Sequence, residues 1–280
     1  MRKASIGLLA AAGAALVVCV VACSPASAGP ITLENGNSQA EFWTDAQLGN
    51  DIWIVDDRNW LSQQWFWYRL DRPSAPGAAE QSLETLDSAP SVFPTDTDGD
   101  TVDDNLRVRY TGAGQGLTVE INYNLMGGPV GSQRADLAET IRITNTARVQ
   151  QTVHFFQYVD FLLSAGEDTV RIPWPNTADQ WFGVIHTAET VTTPVPSHYE
   201  VNMAPTLLGK LIDGVATTLN DDPGPLTGDV AWAFEWDFVM APGDTRIISK
   251  DKSLVLTPEP ATLALMGLGL AGLVARRRRK

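Results

Sequence analysis

The chain has 280 residues, 44% hydrophobic and 19% charged, with 20 Lys+Arg against 33 Asp+Glu and a net charge of −13; this fits a globular body and excludes a disordered or fibrous polymer. Seven basic residues (Arg2, Lys3 and those from Arg276 to Lys280) sit at the two ends, so residues 29–257 carry 13 positive against 32 negative charges, a net of −19. Such a body repels polyphosphate, which excludes nucleic acid as an electrostatic partner.

The N-terminus runs Met1-Arg2-Lys3, then apolar residues from Ile6 to about Ala22, then Ser24-Pro25-Ala26-Ser27-Ala28. Basic, apolar and small-residue regions in that order are the signature of a secretory signal peptide over residues 1–28, with cleavage expected after Ala28. Val20-Val21-Ala22-Cys23 also reads as a lipoprotein box, in which Cys23 would carry the anchor. Both cysteines, Cys19 and Cys23, lie in this segment, so the body has no disulfide, thiolate metal site or cysteine nucleophile.

The body, residues 29–256, opens with an aromatic cluster: Trp53, Trp60, Trp65, Phe66, Trp67 and Tyr68. In a strand, Trp65 and Trp67 share one face. If that face is exposed, Trp60, Trp65 and Trp67, beside Asp56, Asp57 and Arg58, are candidate glycan contacts that stack on sugar rings; the same aromatics would equally fill a sandwich core. Next comes Asp96-Thr97-Asp98-Gly99-Asp100-Thr101-Val102-Asp103-Asp104-Asn105. Alternate aspartates around a glycine turn aim several oxygens at one hard cation, so Asp96, Asp98, Asp100, Asp103 and Asp104 form a candidate calcium site. The run resembles those of thrombospondin type-3 repeats, but it occurs once, has Thr101 where a second glycine is common, and lacks the EF-hand spacing. A solvated acidic turn is the alternative.

Period-two runs follow at 106–110, 117–123, 139–144, 152–158 and 231–238, separated by turn signals at 112–116, 127–129, 223–225 and 242–244. Alternation of apolar with polar residues predicts half-buried antiparallel strands, and an all-β, single β-sandwich domain. Residues 207–219 read as a short helix weakened by Gly209 and Gly214. His154, His186 and His198 have no paired ligand spacing, and no Gly-x-Ser-x-Gly elbow or phosphate-cradling loop occurs, so no catalytic residue is assigned and no enzyme is expected.

The C-terminus is Thr257-Pro258-Glu259-Pro260, an uncharged stretch from Ala261 to Ala275, then Arg276, Arg277, Arg278, Arg279 and Lys280. Fifteen helical residues span roughly 22 Å, enough for a transient membrane stop with the basic cluster held cytoplasmic and the body outside. A Pro-Glu-Pro motif, an apolar helix and a terminal arginine cluster over residues 257–280 resemble the PEP-CTERM sorting signal of Gram-negative bacteria. The resemblance implies that an exosortase, a membrane transpeptidase, recognises Pro258, Glu259 and Pro260, removes the helix and passes the body to the cell surface or extracellular matrix. The body is also similar to uncharacterised β-rich bodies that precede such signals. The implied role is structural, adhesive or glycan-binding within an exopolysaccharide biofilm. The alternatives are a secreted carbohydrate-active enzyme, with two carboxylates roughly 5 to 9 Å apart in a Trp-lined cleft, and a calcium-stabilised binding module.

Overall fold

Alternation of side chains through the body translates into strands. A computed structural model describes residues 29–71, 77–164 and 167–256; the expected signal peptide and sorting segment lie outside the described residues. In chain order the elements are β1 (Ile31–Asn35), β2 (Ser38–Trp43), β3 (Gly49–Val55), β4 (Arg58–Asn59), β5 (Leu61–Asp71), β6 (Gln81–Ser82), β7 (Ser91–Thr95), β8 (Asn105–Gly112), β9 (Leu117–Gly127), β10 (Arg134–Asn145), β11 (Gln151–Phe161), β12 (Asp168–Trp174), β13 (Thr177–Phe182), β14 (Ile185–Thr193), β15 (His198–Met203), α1 (Ala204–Ile212), β16 (Leu226–Gly228), β17 (Val230–Met240) and β18 (Thr245–Leu256), with one 3-10 turn over Leu83–Leu86.

They form two sheets. The first has the order β1-β2-β3-β5-β11-β17-β15, with β4 on β3 and β6 on β5; the second runs β16-β12-β13-β14-β18-β10-β9-β8-β7. The long pairings are antiparallel, and a short parallel contact joins β3 to β5. All five predicted strands lie inside observed ones.

Strand β10 shows why the sheets stack. Ala135, Leu137, Glu139, Ile141 and Ile143 are buried on one face, while Arg134, Thr140 and Arg142 are exposed on the other. Across the gap, Phe155 and Val159 of β11 and Trp232, Phe234 and Trp236 of β17 present the matching apolar face, all buried. Each such side chain contributes about 1.5–3 kcal/mol on leaving water.

The central strands of the first sheet are buried on both faces. Residues 64–69 of β5 and 230–236 of β17 are buried without a break, because the outer face is covered by the chain itself. Helix α1 packs against β11, β15 and β17, with Leu207 and Leu211 buried beneath it. Segment 213–222 lies beside it, held by three carboxylates: Glu80 accepts from Thr217 N at 2.8 Å, Glu235 from Leu219 N at 2.8 Å and Glu200 from Asn220 N at 3.1 Å. The helix starts and ends earlier than 207–219. Pro205 occupies its first turn and needs no amide partner there, and Gly214, at φ +79°, breaks it.

The β1–β2 turn closes one end of the sandwich. Gly36 has φ +56°, Asn35 Oδ1 accepts from Gly127 N at 2.9 Å, and a β-carbon on Gly127 would lie 1.8 Å from Asn35 O. Both positions require glycine.

Candidate functional site

Three regions bear on function: the C-terminal exit of the body, the acidic loop between β7 and β8, and the polar clusters on the two faces of the first sheet. Pro258, Glu259, Pro260 and Arg276, Arg277, Arg278 and Arg279 lie outside the described residues. The strand that leads into them does not. β18 pairs with β10 on one side and β14 on the other and reaches Leu256, so the sorting segment begins where the sheet ends. No helix among the described residues is long and apolar enough to cross a membrane.

In the acidic loop, Asp96, Asp98 and Asp100 each bring an oxygen within 4.8 Å of the others. Their remaining capacity folds the loop. Asp96 accepts from Gly99 N at 2.6 Å and Thr101 N at 2.9 Å, Asp98 from Asp100 N at 3.1 Å and Asn35 Nδ2 at 3.0 Å, and Asp100 from Val102 N at 2.9 Å. The amides of Gly99 and Thr101 hold the Asp96 carboxyl below its ordinary value. Asp103 and Asp104 do not join this group. The Asp103 carbonyl accepts from Glu34 N at 2.9 Å, and the buried Asp104 binds Thr97 N at 2.9 Å and Thr97 Oγ1 at 2.8 Å. Next to the loop lies a cavity of about 290 Å³ whose lining includes Glu34, Asp56, Asp57 and Asp100, an environment that favours a cation.

The tryptophans expected to meet glycan are interior. Trp60, Trp65 and Trp67 are 3%, 2% and 1% exposed, which corrects the assignment of these residues as glycan contacts. Trp65 and Trp67 do share a face, but the 3-10 turn over Leu83–Leu86 and α1 cover it. The indole of Trp65 donates to Ser82 Oγ and Glu84 Oε2, each at 2.9 Å, that of Trp60 donates to Val55 O at 3.3 Å, and Trp67 meets Tyr158 edge-on at 6.3 Å. Trp174, at the end of β12, is the exposed tryptophan, at 68%.

On the same outer face, strand register aligns Arg69, His154 and Asp237 across β5, β11 and β17. His154 Nδ1 lies 2.5 Å from Asp237 Oδ1 and Nε2 lies 3.1 Å from Asp71 Oδ2, with Glu235 Oε1 3.7 Å from Nδ1. Burial opposes a charge on this imidazole, but the hydrogen bond to Asp237 and the neighbouring Glu235 carboxylate outweigh burial and raise its pKa to about 9. At neutral pH both ring nitrogens are therefore protonated and donated to carboxylates. Such an imidazolium has no lone pair with which to accept a proton. Arg69 donates to Glu80 at 3.1 Å and to Thr217 O at 3.1 Å, which completes the strap over residues 213–222. His198 pairs with Asp221 at 3.0 Å, and His186 is half-exposed.

Between the sheets lies a polar group that sequence reasoning missed. Lys250 Nζ is 2.6 Å from Glu139 Oε2 and 2.9 Å from Glu189 Oε1, all fully buried. Lys252 Nζ donates to Glu139 Oε1 and to Gln64 Oε1. Gln64 Nε2 donates to both Glu139 oxygens at 2.9 and 3.1 Å, while Gln157 Nε2 and Trp232 Nε1 donate to Glu189 at 2.8 and 2.9 Å. Two lysines thus face two glutamates with every charged or polar head hydrogen-bonded to another, as burial demands. Burial pushes both lysines down, Lys252 furthest. The signal was in the parity: Lys250 and Lys252 alternate in phase with Ile248 and Leu254, and Glu139 with Leu137 and Ile141.

No curated protein matches the chain. Solved structures that resemble it include a GalM/aldose epimerase homologue from C. elegans, 7% identical over 81% of this chain and 98% of its own with a TM-score of 0.46, and a galactose mutarotase-like protein from Lactobacillus casei, 11% identical over 81% and 100% with a TM-score of 0.41. Residues 256–279 match the PEP-CTERM protein-sorting motif, so the chain ends in the signal of an exosortase substrate, a protein exported and sorted by way of the membrane to the cell surface or extracellular space.

Proposed function

We propose that the mature β body is a structural or adhesive component of the extracellular matrix of a Gram-negative biofilm, associated with exopolysaccharide after an exosortase has removed the tail. The observation that carries this reading is the position of the sorting motif: it starts at residue 256, the last residue of β18. Removal of the tail at Pro258-Glu259-Pro260 would release the whole sandwich without leaving a linker. The polar groups of the outer sheet face support a non-catalytic role, because His154 is held between Asp71 and Asp237 while Arg69, Glu80 and Glu235 bind segment 213–222. A glycoside-cleaving site would need two carboxylates free to meet a substrate in an open cleft.

Replacing Glu259 with Ala, or deleting residues 276–280, should leave the protein in the inner membrane with its tail intact, while the parent appears at the surface truncated. Mass spectrometry of surface-released parent that still carries residues 261–280 would sink the sorting step. For the matrix role, the mature protein should co-sediment with the producer's isolated exopolysaccharide; an equal recovery without polymer would remove it.

Convergence of Asp96, Asp98 and Asp100 favours a second reading, in which the body is calcium-stabilised. A three-carboxylate loop of this kind falls in the class that fills at about 10⁻⁴ to 10⁻³ M outside cells.

A further inference from the structure

The interior polar group contains more than an ion-pair network. A primary amine, a carboxamide and a carboxylate meet there in a space closed to water: Lys252, Gln64 and Glu139 are 0%, 1% and 2% exposed. Lys252 Nζ touches both the Gln64 carboxamide oxygen and a Glu139 oxygen, and the Gln64 nitrogen donates to the same carboxylate at 2.9 and 3.1 Å. Glu139 therefore bridges the two nitrogen atoms, one of which would gain a carbon and the other lose one. We propose that Lys252 and Gln64 join in an intramolecular amide, an isopeptide cross-link between the two sheets that forms without another enzyme and with Glu139 as the proton carrier.

The chemistry balances with these three groups alone. The neutral Nζ lone pair attacks Cδ of Gln64, forming the new C–N bond while the carbonyl π pair moves onto Oε1. One Nζ proton passes to the Glu139 carboxylate and from there to Nε2. Return of the oxygen pair re-forms the carbonyl and breaks the Cδ–Nε2 bond, whose electrons leave with ammonia. Glu139 ends as it began, and no oxidant, metal or cofactor is consumed. Burial supplies the condition that exposed lysines lack, since it holds Lys252 well below the usual lysine range and so favours the neutral amine. Water, the competing nucleophile, is kept out by the burial of all three reacting side chains. Lys250 does not share this geometry. It sits between two carboxylates, at 2.6 Å from Glu139 and 2.9 Å from Glu189, and supplies the counter-charge as the proton moves.

The bond would link β5 of the first sheet to β18 of the second, 188 residues apart in sequence, in a body that holds no cysteine. A cross-link that closes so long a loop restricts the unfolded chain most.

The test is peptide mapping of the protein purified from an exporting host, denatured and digested, with intact mass measured beside it. The expected result is a branched peptide containing both Gln64 and Lys252, and an intact mass lower by one ammonia, about 17 Da, than the sequence between the mapped termini requires. Gln64→Met and Lys252→Met should each abolish the branched peptide and restore the mass, and Glu139→Gln should leave Gln64 and Lys252 in separate, unmodified peptides. Separate Gln64 and Lys252 peptides in the parent overturn the proposal even if ammonia has been lost elsewhere, and this measurement does not depend on any variant folding. A branched peptide that persists at parent yield in Glu139→Gln would overturn the role given to Glu139.

Discussion

Stability of the body should fall between neutral and alkaline pH because of one side chain. His154 is 13% exposed, held between Asp237 at 2.5 Å and Asp71 at 3.1 Å, and its pKa rises from 6.5 to about 9. The unfolded chain releases this proton near 6.5, whereas the folded chain keeps it until about 9. The imidazolium therefore stabilises the fold fully below pH 6.5, and its contribution is lost as pH rises through 9. Such a rise is worth roughly 3 kcal/mol, and because Asp71 and Asp237 are each about a third exposed, solvent screening brings the working figure to about 2 kcal/mol. Asp237 and Asp71, both held low although burial pushes the other way, add stability that is present above the ordinary carboxylate range and lost in acid. The measurement is urea unfolding of parent and His154→Gln at about pH 6 and about pH 9, chosen to bracket the titration. The parent should exceed the variant by about 2 kcal/mol more at the lower pH. Stability curves that run parallel across that range would show that the imidazolium is not held as described.

Calcium should raise the melting temperature of the parent and a chelator should lower it, with Asp98→Ala insensitive to both; a parent that melts at the same temperature with and without chelator would remove the calcium reading. Trp232→Phe leaves Glu189 Oε2 without its indole donor at 2.9 Å and should cost about 1–3 kcal/mol in chemical denaturation. Gly127→Ala places a β-carbon 1.8 Å from Asn35 O, so the β1–β2 turn must move; a loss of at least about 2 kcal/mol is expected, and an unchanged denaturation midpoint would contradict the close approach.

Five strands, β8 to β11 and β17, were legible from period-two alternation, which matches burial closely in β8 and β10, whereas β17 alternates in sequence but is buried on both faces. The misplacing of the tryptophans comes from long-range covering. Period two places Trp65 and Trp67 on one face correctly, but nothing local reveals that α1 and residues 213–222 fold back over that face. Lysine in a strand ordinarily points to water, so residue type alone gives no sign that Lys250 and Lys252 are buried, although their parity with Ile248 and Leu254 places them inside. Their acceptors, Glu139 and Glu189, arrive from strands distant in sequence, and each looks unremarkable alone. The acidic run was visible at once, yet only three of its five carboxylates converge, since Asp104 is used to hold Thr97. The helix starts three residues before the expected 207 because Pro205 is accepted in a first turn, where it needs no amide partner.

The place of β18 decides which part of the chain completes its sheet. It is the last strand of the body in sequence, yet it sits in the middle of its sheet, between β14 and β10. The second sheet therefore stays split into two four-stranded halves until residues 245–256 insert between them. The strand that completes the sandwich is thus the one that runs into the sorting motif at residue 256, so closing the sheet and presenting the motif depend on the same twelve residues.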